Sequence, residues 1–399
     1  MTRHDSPGGR GSRWGIVLAL LTLAVLSATA IRWHPTPIIW DQEFIRSRLG
    51  WATYPDLDGG LVSVVLAGAY NATVAPPDAE LSNARIRTIA MAFYSFSAFL
   101  LATRVLTDRA AVLLFLALLF SSRFPVLWLS TELLCGGFLS LVAAGVVAGW
   151  PSWIVGSLLA LFGLCKPDAL LPCLAMAGYL LWRGRGWPQR AGLLAGLLGA
   201  AGALVVPAFL VHGLRLFGGR AFLSFGQHYS ALFALHQLQP PENPWRDWQV
   251  YVGAIFPGAT SVWDVVRLHP RKYADFVALS VLYGARKFVT VMNLFLVLLV
   301  QRLLSLRRQA TALEPFEGIL GVSLVGVVPW LLVSFPHVRY FARYYPLLLL
   351  SGLHFAEQLE PAGRRRAYAL AAAGVAVNCL LLLLDARTRP GSFLLWLPD

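Results

Sequence analysis

The sequence predicts an all-α polytopic membrane protein of about 11 transmembrane helices, with extracytoplasmic loops carrying short amphipathic helices. Three observations lead there. Of its 399 residues, 57% are hydrophobic and 13% charged, and the mean hydropathy is +0.63, so there is too little polar surface to coat a soluble globule. Apolar runs of roughly the 20 residues that cross a bilayer core recur along the chain, separated by short basic or Pro/Gly-rich connectors. These runs do not alternate apolar with polar residues, which excludes an outer-membrane barrel. Finally, arginines gather at the ends of the runs, so the net charge of +13 is a topology signal and not a nucleic-acid footprint.

The first helix is expected at Trp14 to Ile31, behind Arg3, Arg10 and Arg13. Its length and the weak Ala28 to Ala30 cleavage signal favour a retained helix over a removed signal peptide, with the N-terminus inside. Later spans are expected near Asn83 to Thr103, Ala110 to Leu127, Leu133 to Trp150, Trp153 to Cys165 and Ala169 to Trp182. The rest fall near Ala191 to Val211, Phe276 to Val300, Gly318 to Phe335, Tyr344 to Phe355 and Ala367 to Leu384. Gly60 to Val74 is apolar but short and interrupted by Asn71, which suits a re-entrant or interfacial element. The chain is thus one transmembrane domain over 1–399, with a first extracytoplasmic loop at 32–82 and a large one at 212–275. Cys135, Cys165, Cys173 and Cys379 lack metal-ligand spacing and read as small buried hydrophobes.

Alternating the spans puts the basic connectors on one side: Arg104 and Arg109; Arg183, Arg185 and Arg190; Arg302, Arg307 and Arg308; and Arg364 to Arg366. That side is the cytoplasm, and the Ala-, Leu- and Arg-rich composition suggests the cytoplasmic (inner) membrane of a bacterium. The opposite side collects the ionisable residues that lipid would penalise, and these are candidates for function.

In the first loop, WDQEFIRSRLGW carries Asp41 and Glu43, then Arg46 and Arg48. A carboxylate just outside the bilayer can take a proton from an acceptor hydroxyl, and arginines can hold a phosphate. The same residues also suit a solvated amphipathic segment that neutralises its own charge. Glu132 follows Ser130 and Thr131 at the outer end of one span, and Lys166, Pro167 and Asp168 form the next outer turn. Lys166 can neutralise a phosphate leaving group and Glu132 can orient sugar hydroxyls or the lysine; a Lys-Asp pair snorkelling at the interface fits equally. HVRYFARYYPLLLL repeats Arg-Tyr at Arg339, Tyr340 and Arg343, Tyr344, one helical turn apart, to grip a phosphate or to anchor in the aromatic belt. The long loop, with FGQHYSALF and VWDVVRLHP, offers aromatics for carbohydrate faces and a stretch that can lie on the membrane, and also reads as a packed loop that touches no substrate. Asn71-Ala-Thr73 is a glycosylation sequon, a frequent chance match.

The order of these features resembles the membrane-embedded GT-C fold glycosyltransferases: a first-loop acid after one helix, an outer S-x-E turn, a K-P-D turn, a long aromatic loop and a late RYxxPLLLL helix. The resemblance is closest to bacterial relatives of protein mannosyltransferases and of lipid A aminoarabinose transferases, and covers about residues 14–357. It implies a transferase taking a sugar from a polyprenyl-phosphate-linked donor to a lipid, glycan or protein acceptor on the extracytoplasmic face. Asp41 matches the family's first-loop base, with Glu43 a near alternative because WDQEF departs from the usual pattern. Lys166 and Arg343, with Arg339 as companion, match groups that hold carrier phosphate; Glu132, Asp168, His228 and Tyr344 are substrate-orienting candidates. The expected partners are that donor, its acceptor and membrane lipids, with no nucleic acid, no cofactor and no metal.

Two other classes share the polytopic, basic character. A transporter or flippase places charge near mid-membrane, for which Lys287 is the candidate. An O-antigen-ligase-like transferase relies on loop residues such as His228 or His269, where the GT-C resemblance relies on Asp41.

Overall fold

A computed structural model describes residues 61–62, 65–66, 79–119, 130–184, 186–212, 221–234, 247–308, 312–334 and 338–388. The first helix, Asp41 and Glu43 lie outside the described residues; of the Gly60 to Val74 element only Leu61, Val62, Val65 and Leu66 are described, all helical. Among the described residues the architecture is entirely helical, with no strand.

The first five long helices are α1 (Ala79–Val105), α2 (Asp108–Leu119), α3 (Ser130–Ala148), α4 (Ser152–Leu164) and α5 (Leu170–Arg183), with a 3-10 turn Pro167–Ala169 before α5. Next come α6 (Trp187–His212), α7 (Ala221–Ala234), α8 (Trp248–Ile255), α9 (Val262–Leu268), α10 (Pro270–Met292) and α11 (Phe295–Arg307). The chain continues through α12 (Pro315–Ser323), a 3-10 turn Leu324–Gly326, α13 (Val327–Val333), α14 (Val338–Phe341), α15 (Tyr345–Gln358) and α16 (Pro361–Thr388).

Among the described residues, three helical runs can cross a membrane by length and composition: Thr131–Ala148, Trp187–Leu210 and Pro315–Val333. A fourth is counted if α10 and α11 form one span, but these two helices meet at 105°. The uninterrupted span expected at Phe276 to Val300 is therefore broken. Asn293 causes the break: it adopts φ 40°, its side-chain amide donates to Asn378 Oδ1 of α16 at 2.8 Å, and its Oδ1 accepts from Leu294 N. The hydrogen bonds redirect the backbone where a hydropathy window sees only apolar neighbours.

Close packing is achieved where small residues let backbones touch. A Cβ on Gly156 of α4 would lie 2.2 Å from Leu193 O of α6, and one on Gly196 of α6 would lie 1.9 Å from Trp153 O. Only glycine permits this crossing, the usual device by which apolar helices gain contact without a hydrophobic drive between them. One core joins α1 to α5 with α11, α12, α15 and α16. A second, aromatic core unites α7, α8, α9 and the start of α10 through Phe225, Tyr229, Phe256 and Phe276. The described parts of the large loop are thus a packed helical unit. None of the four cysteines is in a disulfide, and Cys135, Cys165 and Cys173 are buried.

α15 has different chemistry at its two ends. In its last turn, Glu357 accepts hydrogen bonds from Thr107 in the α1–α2 connector, at 2.8 Å from the backbone N–H, and Tyr368 reaches the same carboxylate. Arg104, Arg109 and Arg364 to Arg366 flank these contacts on the exposed surface. Arg302 departs from the expected pattern. Instead of joining Arg307 and Arg308 in an exposed basic connector, it is buried on Glu317 (2.5 and 2.7 Å), which also accepts from Ser351 at 2.7 Å.

Candidate functional site

The N-terminal end of α15 is where the residues expected on the outer face meet. Pro167 excludes the helical region for the residue before it, so Lys166 is extended (φ −158°, ψ 144°) and α4 stops. The same proline opens the 3-10 turn that carries Asp168 into α5. Glu132 occupies the first turn of α3, and both acids therefore sit at helix N-termini, whose free N–H groups favour negative charge. Arg343 lies in the turn 342–344 between α14 and α15, and Pro346 fixes the start of α15. That turn is fastened from α1 by Tyr94, whose hydroxyl donates to Ala342 O at 2.7 Å. It is crowded by Gly136 of α3, where a Cβ would lie 3.1 Å from Arg343 Cα.

Four charges then form a closed quartet. Lys166 Nζ donates to Glu132 Oε1; Arg343 donates to Glu132 Oε2 through Nε (3.0 Å) and Nη2 (2.7 Å), and Nη2 also reaches Asp168 Oδ2 at 3.0 Å. Trp330 of α13 donates its indole N–H to the same Asp168 oxygen and lies against the Arg343 guanidinium at 4.7 Å. The Tyr340 ring lies 4.6 Å from Lys166 Nζ and stacks on Trp330 at 5.0 Å. His228 of α7 is buried behind Tyr340, its Nε2 3.4 Å from the tyrosine hydroxyl. The quartet's formal charge is zero, two cations against two carboxylates.

It is not uniformly buried. The Glu132 and Arg343 side chains are 1% and 0% exposed, whereas Lys166 and Asp168 are 18% and 21% exposed and form its open edge. Arg343 Nη1, Asp168 Oδ1 and the Tyr344 hydroxyl are buried with no hydrogen-bond partner among the described residues. These three atoms leave bonding capacity for a polar guest or ordered water. In the α4–α5 connector, burial alone would push Lys166 down, but Glu132 and Asp168 outweigh it and hold its ammonium above the ordinary lysine value. Burial would likewise raise Asp168, yet Arg343 and Lys166 hold its carboxyl below the usual range.

Of the residues singled out in the sequence, Glu132, Lys166, Asp168, Arg343 and Tyr344 are brought together, and His228 joins through Tyr340. Arg339 lies in α14, and its side chain falls outside the described residues, as do Asp41 and Glu43. The expected continuous face through Arg339 and Arg343 is broken, because α14 ends at Phe341 and three turn residues precede α15. His269 contacts Pro257 and Phe256 in the aromatic unit, and Lys287 is buried on α10. Sequence reasoning missed Trp330 and Tyr94, which carry no signal in an apolar run, and Gly136, one of many glycines in apolar segments. No group of three or more His, Cys, Asp or Glu able to hold a metal occurs among the described residues. No family model, curated protein or solved structure matches the chain.

Proposed function

We propose that this chain is a glycosyltransferase of GT-C type, moving a sugar from a polyprenyl-phosphate-linked donor to a lipid, glycan or protein acceptor on the extracytoplasmic face. The observation that carries this reading is the quartet's open edge. A lysine and a carboxylate face outward over a buried arginine at the opposite end of α15 from the exposed arginines of the connectors. A charge-rich pocket at one end of an apolar bundle is where a lipid carrier presents its phosphate. Tyr340 and Trp330, themselves buried, pack against Lys166 and Arg343 and hold the two cations in place.

In this reaction the acceptor hydroxyl oxygen bonds to the anomeric carbon as the bond from that carbon to the phosphate oxygen breaks. The hydroxyl proton passes to Asp41, or to its neighbour Glu43, and the polyprenyl phosphate departs with the electron pair. Lys166 meets the growing charge on the phosphate; Arg343, fixed by Glu132 and Asp168, supplies a fixed positive field behind it. Alignment and electrostatics do most of the work, because the phosphate ester is already a good leaving group.

The test is transfer of a radiolabelled sugar from a polyprenyl-phosphate pool in membranes carrying wild type, Asp41→Asn, Glu43→Gln or Lys166→Met at matched expression. Loss of transfer in Lys166→Met and in one of the two acid variants supports the reading. Full transfer in Lys166→Met removes the quartet from the chemistry, and no transfer by wild type overturns the reading in favour of a transporter.

A further inference from the structure

α10 has the composition of a helix that lies along a membrane surface. It buries one stripe, Phe276, Ser280, Gly284, Lys287 and Val291, against the protein. On its outer side Val281, Leu282 and Val289 are exposed, Leu282 at 64%, with Ala274, Ala278 and Ala285 between them. Arg271, with the exposed Lys272 and Asp275, makes the N-terminal end of that face polar, and Arg286 borders the apolar strip; headgroup phosphates would meet these cations.

The orientation of α10 follows from α11. α11 begins beside Asn293, which bonds to Asn378 of α16, and past its middle carries Arg302, which is held by Glu317 of α12. Phe316, next to Glu317, packs on His354 in the C-terminal half of α15, and Leu298 of α11 lies against Gly352. α11 therefore follows the length of the bundle away from the level of the quartet. A helix meeting it at 105° runs across the bundle and not along it. Phe288 of α10 packs on Phe341 at 5.6 Å, and Tyr273 donates to Leu332 O at 3.1 Å, so both halves of α10 stay at the quartet's end. The preceding α9 adds Trp263, 71% exposed, with Leu268 and Arg267. Its Asp264 is withdrawn into a capping arrangement with Thr260 and Ser261.

We propose that α10, with α9, is an in-plane element seated at the boundary between phospholipid headgroups and acyl chains, on the same leaflet as the quartet. Trp263 and Leu282 dip into the acyl side, and Arg267, Arg271 and Arg286 reach the phosphates. The occupant of this face is lipid. This inference is independent of the transferase reading, since it rests on the bend and on the exposed strip alone.

The test places single cysteines by Ala274→Cys, Leu282→Cys and Val289→Cys in the full chain carrying Cys379→Ala, whose other three cysteines are buried. Each is labelled with an environment-sensitive fluorophore and reconstituted into nanodiscs of mixed phosphatidylcholine and phosphatidylglycerol. Nitroxide lipids then quench from the headgroup boundary or from deep in the acyl region. The expected result is blue-shifted emission at all three sites, with stronger quenching from the shallow nitroxide than from the deep one. Deep quenching at Leu282 with shallower quenching at Ala274 and Val289 makes α10 a span and overturns the proposal. Water-like, unquenched emission overturns it as well, giving the face to solvent or a protein. Because all three positions are already exposed, the substitutions leave the core intact, and Trp263→Cys, read the same way, provides a second element for the same test.

Discussion

Arg343 gives its hydrogen bonds to two carboxylates from different helices, and nothing smaller or less planar can do the same. Arg343→Lys cannot bridge both acids, and Arg343→Met leaves Glu132 buried beside one cation. Breaking a buried pair of this kind costs about 3–5 kcal/mol, so Arg343→Met should lower the thermal midpoint in detergent sharply. Lys166→Met should lower it much less, because Lys166 sits at the open edge. A scan in which both variants fall equally would show that the edge is structurally closed. The acid–base signs also differ. The contribution from Asp168 is present above the ordinary carboxylate range and lost as pH falls through its lowered value. That from Lys166 is present below the ordinary lysine value and lost only as pH rises through its raised one. Across roughly pH 5 to 9 Asp168 and Lys166 therefore stay charged, and their contribution to the midpoint should be flat, falling on the acid side. Charged residues in apolar surroundings were legible in the sequence because lipid penalises them unless they are used. Their aromatic company was not, since Trp330 in VVPWLLV looks like any apolar residue of a span.

At the level of elements, hydropathy located most helices yet missed the direction of one. The stretch Phe276 to Val300 is apolar on average, so its averaging window passes over Asn293, where two side-chain hydrogen bonds turn the chain. Asn293→Ala keeps the unfavourable φ of 40° and removes both bonds, and should destabilise by about 1–3 kcal/mol. Asn293→Gly relieves the backbone and should recover part of that loss. Equal midpoints for the two variants would show that the backbone conformation there costs nothing. At the α4–α6 crossing, Gly196→Val drives a branched side chain into the Trp153 carbonyl; the helices must separate, at about 1–3 kcal/mol. Arg302 was misread for a related reason: in sequence it is one more arginine beside Arg307 and Arg308, and only packing reveals that Glu317 and Ser351 enclose its end of α11.

For the molecule as a whole, the first turn of α3 with Glu132, the α4–α5 connector with Lys166 and Asp168, and the turn with Arg343 meet at one end of α15, and the exposed arginines around Thr107 and Glu357 lie at the other. This polarity was legible from charge alternation, whereas the number of crossings was not, because several helices are shorter than a bilayer is thick. In sealed vesicles of known orientation, a cysteine introduced by Gly186→Cys should react with an impermeant maleimide from the cytoplasmic side, and Gly258→Cys from the opposite side. Reaction of both from one side would contradict the assigned orientation.

The quartet's neutrality has a consequence for whatever it binds. A phosphate engaging Lys166 enters by exchange, taking the cation from a carboxylate the protein already supplies, so the measured affinity is the difference between two ion pairs. Glu132 is the carboxylate that gives up the lysine, and Asp168, whose carboxyl Lys166 also holds down from nearby, regains part of its ordinary appetite for a proton. Binding and proton uptake are linked, and the complex should tighten as the solution becomes more acidic.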